Sequence, residues 1–383
     1  MSGLTCNILL YNTKLADRLA NGTLRRQRLQ EPEGRQAMRS PTFSVLLLSA
    51  WALTSQADQS FVIDPWWPRP LPEGWINAQI GGVCVDSQDN ILIVDRRNIT
   101  EEEMETNVPV PTFVMFDMEG NVIKSWGDPD VVPRAVHGCS FDSEDNIWVA
   151  GNQDAIVQKY SQDGELLMQI GIKDQFDTED GTPETEFRNS SRELLHRPSG
   201  AVVDPETGDI FISDGYGNKR VVVFDAEGNY LRQWGSLATE EEREAGTPGT
   251  FTAVVHCIEM SNAGLIYVCD RQGNRVQVFD QVGNHVRDIW VETENYNSRG
   301  TAWWVAFSPD EEQQYLYVMN GGQEEVHVMD HESGETLSTF GRPGHMPGNF
   351  THGHTIATDS QGNIYVAETN IGRRVQRFRL VSE

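Results

Sequence analysis

Three histidines occupy the same place in a recurring sequence pattern. His137, His256 and His354 each open an apolar stretch, and each stands five residues before a turn residue. The turn residues are Asp142, Ser261 and Asp359. Three imidazole nitrogens with one open position are typical of a catalytic zinc site. The spacing therefore predicts a metal site, provided that the fold brings the three side chains together.

The elements that must position these histidines repeat from about residue 60 onward. Each unit contains an apolar strand, an Asp-rich turn, a second strand, a Gly/Asn turn, a third strand and a fourth strand ending near Trp-Gly. The clearest copy is PSGAVVDPETGDIFISDGYGNKRVVVFDAEGNYLRQWG at 198–235. Alternating β-branched and aromatic residues between such turns are typical of antiparallel strands. Six four-stranded units predict an all-β, six-bladed β-propeller.

The sixth unit, at 354–380, contains only three strands. The segment SFVIDPWWP at 60–68 is predicted to supply the fourth strand and close the ring, because an open ring would leave unpaired strand edges. The acidic segments 173–187 and 238–249 are predicted to be surface loops between blades.

The register of the repeat assigns one residue of each blade to the central channel, which the first strands line. Counting back five residues from the turn places His137, His256 and His354 on blades two, four and six. The same position on blades one, three and five holds Gly81, Ser199 and Trp303. Alternate blades of a six-bladed ring lie about 120° apart, so the three imidazoles are predicted to converge at one depth. Zinc is favoured, and imidazole also suits copper, iron or nickel.

The ends of the second strands face the same rim of the channel. They carry Arg96, Tyr216 and Arg271. Arginine holds a carboxylate in a bidentate fork, and a tyrosine beside a metal and a cation can act as a base. These residues predict a pocket for an anionic substrate. His352 is predicted to lie at the rim rather than to be a fourth ligand.

Composition and the amino-terminal segment indicate an exported acidic protein. The chain carries 30 Lys+Arg and 57 Asp+Glu, a formal net charge of −27, which argues against nucleic acid and anionic membranes as partners. Residues 38–57 combine an arginine, an apolar run and small residues, which predicts a signal peptide cleaved near Ala57. Residues 1–37 are predicted to be a misread upstream segment or a disordered leader. The mature chain, 58–383, is predicted to be a single propeller domain that is secreted or periplasmic.

Four cysteines remain after such cleavage: Cys84, Cys139, Cys257 and Cys269. Export permits disulfides, but their connectivity cannot be read from the sequence. Each cysteine also lies on an apolar strand pattern, where a buried free thiol is at least equally compatible.

The repeats resemble NHL repeats, and the chain from about residue 60 resembles the peptidyl-α-hydroxyglycine α-amidating lyase family. The motifs that carry this resemblance are VHG, VVHC, HGHTIA, SDGYGN, IVDRR and CDRQGNR. The resemblance implies His137, His256 and His354 as Zn²⁺ ligands and Tyr216, Arg96 and Arg271 as catalytic residues. It implies a small anionic carbinolamide as substrate, cleaved at its C–N bond to an amide and glyoxylate. A separate hydroxylase would act upstream in the pathway.

The sequence departs from this family at a few positions. The family has an aspartate directly after its third histidine, where it binds a structural calcium. Thr355 stands there in this chain, which puts Ca²⁺ in doubt. The family's two disulfides lack counterparts at Gly217, next to Tyr216, and at Val278.

The sequence is also compatible with two other functions. One is another metal-dependent propeller enzyme, a hydrolase or lactonase. Such enzymes generally hold calcium with Asp, Glu or Asn ligands, so three channel histidines argue against this class. The other is an extracellular NHL propeller that serves as a binding scaffold without catalysis, because a fold alone does not imply an activity.

Overall fold

The six repeats form six antiparallel four-stranded sheets. The computed structural model describes residues 59–294 and 296–381. The predicted leader and signal peptide lie outside this range. Strands are given from the axis outward. Blade one consists of Ile80–Val85, Ile91–Asp95, Phe113–Phe116 and Val122–Trp126. Blade two consists of Val136–Phe141, Ile147–Gly151, Ile156–Tyr160 and Leu166–Ile170. Blade three consists of Gly200–Val203, Ile210–Asp214, Arg220–Phe224 and Tyr230–Trp234.

The second half of the ring follows the same plan. Blade four consists of Val255–Met260, Ile266–Asp270, Arg275–Phe279 and His285–Trp290. Blade five consists of Trp304–Phe307, Tyr315–Asn320, Glu325–Asp330 and Thr336–Phe340. Blade six consists of Gly353–Thr358, Ile364–Glu368, Arg374–Val381 and the amino-terminal strand Ser60–Asp64. The first strands contact one another in order around the axis, including blade six against blade one.

The predicted ring closure is confirmed. Ser60–Asp64 pairs antiparallel with the last strand, from Ser60 opposite Val381 to Asp64 opposite Arg377. The Arg377 guanidinium also contacts the Asp64 carboxylate at 2.6 Å. The outer edge of blade six is therefore paired like that of the other blades.

Burial along each blade explains the apolar runs in the sequence. Second strands such as Ile91–Asp95 and Ile210–Asp214 are buried at every residue, because both faces of the sheet pack against neighbouring blades. Outer strands such as Tyr230–Trp234 are only partly buried. The core consists of apolar layers between adjacent sheets.

The connections contain small elements that the sequence analysis did not predict. The acidic segment 238–249, predicted as a loop, contains the helix Glu240–Ala245. Thr239 and Glu242 form a capping box there, and this Thr-x-x-Glu signature could have been read from the sequence. The other helices among the described residues are Glu101–Met104 and the 3₁₀ turn Arg271–Gly273. Two short parallel pairs join Trp75–Ile76 to Val108–Pro109 and Ser236–Leu237 to Thr250–Phe251. No helix in the described part of the chain has the length and apolar character needed to cross a bilayer.

Candidate metal centre

The structure brings the three channel histidines together on the propeller axis. Each is the second residue of the first strand of its blade: His137 in blade two, His256 in blade four and His354 in blade six. Their ring centroids lie 4.5 to 5.1 Å apart. The nitrogens that they can offer all lie within 4.8 Å of one another, and all three side chains are buried. The common register therefore produces one cluster at one depth.

Backbone carbonyls of the other three blades orient these rings. The partners of the Nδ1 atoms are the carbonyl oxygens of Ser199, Trp303 and Gly81, at 2.8, 2.6 and 2.8 Å for His137, His256 and His354 respectively. These are the residues that the register placed on blades one, three and five. A carbonyl only accepts a hydrogen bond, so each Nδ1 carries the hydrogen and each Nε2 is left as a lone-pair donor. This is the usual second-shell arrangement of metal-binding histidine.

The cluster fits a metal ion by its own chemistry. Burial lowers the pKa of His137, His256 and His354 well below the ordinary value. Nearby arginines, and for His256 and His354 the neighbouring imidazoles, lower the pKa further, so the rings are neutral ligands at physiological pH. His256 Nε2 is buried without a hydrogen-bond partner. A buried polar atom of this kind is costly unless a ligand or ion satisfies it.

Tyr216 and Arg271 lie directly against this cluster. The Tyr216 hydroxyl oxygen is 3.1 Å from His137 Nε2, and Arg271 Nη1 donates to the same oxygen at 3.1 Å. The Arg271 guanidinium also lies 4.8 Å from the ring centroid of Trp303. Since His137 Nδ1 carries its hydrogen, the hydroxyl donates to Nε2 here. A phenol oxygen that accepts from a cation and contacts an imidazole nitrogen of the cluster is well placed to exchange a proton.

Arg96 lies on the blade-one side of the same rim. Its Nε donates to the carbonyl oxygen of Val136, next to His137, and its Nη1 donates to Gln79 Oε1, both at 3.0 Å. Burial lowers the pKa of Arg96 from its ordinary value. In the described residues, neither Arg96 nor Arg271 forms an ion pair with a carboxylate. Two guanidinium groups that form no ion pair with a carboxylate lie beside the histidines and favour an anion, although the chain as a whole is acidic.

The sequence did not identify the residues that hold the blade-five side of the rim. Arg299 donates to Glu324 Oε1 and to His352 Nδ1, each at 3.2 Å. The other ring nitrogen of His352, Nε2, lies 2.8 Å from the Asn370 amide. His352 therefore has both nitrogens engaged at the rim, outside the three-histidine cluster. Burial and the neighbouring arginines lower its pKa to about 4. Arg299 and Glu324 occupy no register position that the repeat could have revealed.

The structure pairs the four cysteines in two disulfides and shows what Thr355, which replaces the family's aspartate, contacts. Cys84 is bonded to Cys139, and Cys257 is bonded to Cys269, so burial as free thiols is wrong for all four. Thr355 is fully buried, and its hydroxyl accepts a hydrogen bond of 3.0 Å from the backbone N–H of Val83. The residue after the third histidine thus joins blade six to blade one through a neutral hydrogen bond.

Fold and site together define an NHL-type six-bladed β-propeller with a three-histidine centre on its axis. The sequence model of the NHL repeat family matches residues 195–224. Among solved structures, one titled "Streptogramin B lyase structure" has a TM-score of 0.53 and 13% identity, and the match covers 84% of this chain and 98% of that chain. A likeness at this identity shows the fold alone.

Curated relatives at modest identity include amidating enzymes. The chain is 27% identical over 357 residues to "Peptidyl-alpha-hydroxyglycine alpha-amidating lyase 1" of Drosophila melanogaster, covering 85% of this chain and 60% of that protein. It is 24% identical over 353 residues to "Peptidylglycine alpha-amidating monooxygenase" of Rattus norvegicus, covering 83% of this chain. The chain spans 33% of that protein's length. The chain is therefore a relative of the peptidyl-α-hydroxyglycine α-amidating lyases, at modest identity.

Proposed function

We propose that this protein is a zinc-dependent lyase that cleaves the C–N bond of a carbinolamide bearing a carboxylate. The reaction converts an N-acyl-α-hydroxyglycine unit into an amide and glyoxylate. One observation carries this proposal: the lone-pair nitrogens of three neutral histidines converge beside Tyr216 and two arginines that have no carboxylate partner. The names of the amidating relatives support the same reaction class.

His137, His256 and His354 would hold the ion. Three neutral imidazoles suit zinc with an open position, and the donor set also accommodates copper, iron or nickel. Bound zinc would supply a Lewis acid that makes the substrate hydroxyl more acidic. Calcium is a poor match, because it prefers oxygen ligands and the cluster offers nitrogen.

Tyr216 would handle the proton of the reaction. Once it has lost its own hydrogen, its phenolate oxygen would take the proton from the substrate hydroxyl, the C–N bond would break as the C=O bond of glyoxylate forms, and the electron pair would stay on nitrogen. The proton then moves to that nitrogen to complete the amide, so the reaction needs no other reactant. Arg271 holds the Tyr216 oxygen in place through its 3.1 Å hydrogen bond.

Arg96 and Arg271 would bind the carboxylate and fix the reacting geometry. A guanidinium without a protein carboxylate is free to form a charge-assisted pair with a substrate anion. We further propose that the protein acts after export, and that a separate hydroxylase produces its substrate.

The direct test is glyoxylate release from α-hydroxyhippurate by zinc-loaded protein, with and without a chelator. We expect turnover that the chelator abolishes and zinc restores. His256→Ala should lose both zinc and turnover, whereas the matched change His345→Ala, at an exposed histidine outside the cluster, should lose neither. Zinc-loaded protein that releases no glyoxylate would refute the lyase.

The same samples separate the alternatives. Purified protein that contains calcium without zinc would favour a calcium-dependent lactonase over the proposed lyase. A scaffold would keep its ligand binding in His256→Ala, because metal and turnover would play no part in it.

A further inference from the structure

The axial channel contains a cavity beyond the histidines. It has a volume of about 310 Å³ and lies further along the same inner strands. His137 is followed on its strand by the lining residues Cys139 and Ser140, and His256 is followed by Glu259. The cavity therefore occupies the part of the channel beyond the metal cluster, away from the rim that carries the arginines.

The indole of Trp304 separates this cavity from the histidines. Its ring centroid is 6.1 Å from those of both His137 and His256, and its Nε1 donates to Glu259 Oε1 at 3.0 Å. The ring lies close to Gly138, where an added Cβ would be 2.2 Å from Trp304 Cη2. One side chain thus forms the floor of the metal cluster and contacts the acidic residue of the cavity.

The lining of the cavity is chemically unusual. Glu259 is its one charged side chain among the described lining residues, and no lysine, arginine or histidine balances it. The hydroxyl hydrogens of Ser140 and Thr358 are already donated to backbone carbonyls, at 2.6 and 2.8 Å. Phe141 and Phe307 add aromatic rings to walls that are apolar in part, at Val83 and Ile356, and polar in part, at Asn262, Ser308 and Gln313. Burial raises the pKa of Glu259 to about 8, which reflects the cost of an ionised carboxylate without a cationic partner.

We propose that this cavity binds a small organic ammonium ion with a short apolar tail. The carboxylate of Glu259 would pair with the ammonium group, hydroxyl oxygens would accept its remaining hydrogens, and the phenylalanine rings would favour the cation. The volume is at the lower end of the range of about 300–1,000 Å³ for small-molecule sites. An acidic protein also concentrates cations near its surface.

A ligand in the cavity would change the affinity of the three histidines for zinc. A ligand bound to Glu259 would weaken or strengthen the hydrogen bond that Trp304 donates to this carboxylate. The indole of Trp304 also packs beneath His137 and His256. By linkage, a ligand that changes zinc affinity has its own affinity changed by the same factor.

The probe is n-butylammonium, with 1-butanol as an uncharged match of similar size. Titration calorimetry on the full chain, zinc-loaded and chelated, should show one butylammonium site and no butanol binding. Glu259→Gln keeps the side-chain shape and an acceptor for Trp304, and should weaken binding at least tenfold. Glu311→Gln, a change outside the cavity lining, should leave binding unchanged.

Three results would overturn the proposal: equal binding of butylammonium by Glu259→Gln, comparable binding of butanol, or a calcium site in place of the ammonium site. Unaltered melting of Glu259→Gln at pH 4, where the carboxyl is protonated in both folded and unfolded wild type, shows that the variant folds. The measurement requires no turnover, so its failure is distinct from failure of the proposed lyase activity.

Discussion

Removal of one oxygen atom tests the role of Tyr216. In Tyr216→Phe the ring stays, and the contacts of the hydroxyl with His137 Nε2 and Arg271 Nη1, both 3.1 Å, are lost. If the hydroxyl only positions Arg271, the loss is that of one hydrogen bond to a charged group, about 1.5–3 kcal/mol or about 10- to 150-fold. If it transfers the proton, loss of general acid–base catalysis costs about 10²- to 10⁴-fold. Because both effects act together, we expect kcat to fall about 10³-fold, about 4 kcal/mol.

The assay is steady-state glyoxylate release, with zinc content measured on the same samples. Zinc should remain bound in Tyr216→Phe, because all three imidazoles are intact. The control is Tyr267→Phe, which removes another hydroxyl bonded to a histidine nitrogen, that of His331, at 2.5 Å and away from the cluster. Tyr267→Phe should keep kcat within about threefold, a span of less than 1 kcal/mol. A Tyr216→Phe protein with normal zinc and a kcat within tenfold of wild type would show that the proton moves by another route.

Three further changes test other parts of the molecule. Arg96→Ala should raise KM for a carboxylate substrate by about 10- to 100-fold, because charged hydrogen bonds are lost. The same change should raise KM for the methyl ester of that substrate much less. Equal increases for acid and ester would exclude a contact between Arg96 and the carboxylate. Thr355→Val leaves the buried N–H of Val83 without a partner and should cost about 1–3 kcal/mol in urea unfolding, while Thr355→Ser should recover most of it. Glu259 prefers its protonated form in the folded state, with a pKa raised from 4.5 to about 8. Because the unfolded chain ionises first, wild type should lose stability relative to Glu259→Gln as pH rises from about 4.5 to about 8, and parallel curves would contradict this.

The repeat made the centre of the molecule predictable. A period of four strands fixes which residue of each blade faces the axis, so the three histidines could be placed from spacing alone. The same count placed Gly81, Ser199 and Trp303 at the axis. It did not predict that their backbone carbonyls hold the imidazoles. Every residue has a backbone carbonyl, so the sequence could not show which carbonyls hold the histidines.

Features that depend on contacts between blades could not be read in advance. Cys84 and Cys139 lie on neighbouring inner strands, and whether their side chains face each other depends on the stagger between blades. Arg299 reaches His352 from a loop of irregular length, which no period describes. The contact of Trp304 with Glu259 crosses from blade five to blade four. Each of these needs the relative placement of sheets rather than the pattern within one sheet.

The pairing of Ser60–Asp64 with the final strand also constrains how the protein is made. The strand that completes blade six leaves the ribosome long before its partner, which ends at Val381. Blade six carries His354, so this histidine has no finished sheet around it until the strand ending at Val381 has been synthesised. Contacts so distant along the chain slow folding. We therefore expect the three-histidine cluster to form late in folding, only after the strand ending at Val381 has paired with Ser60–Asp64.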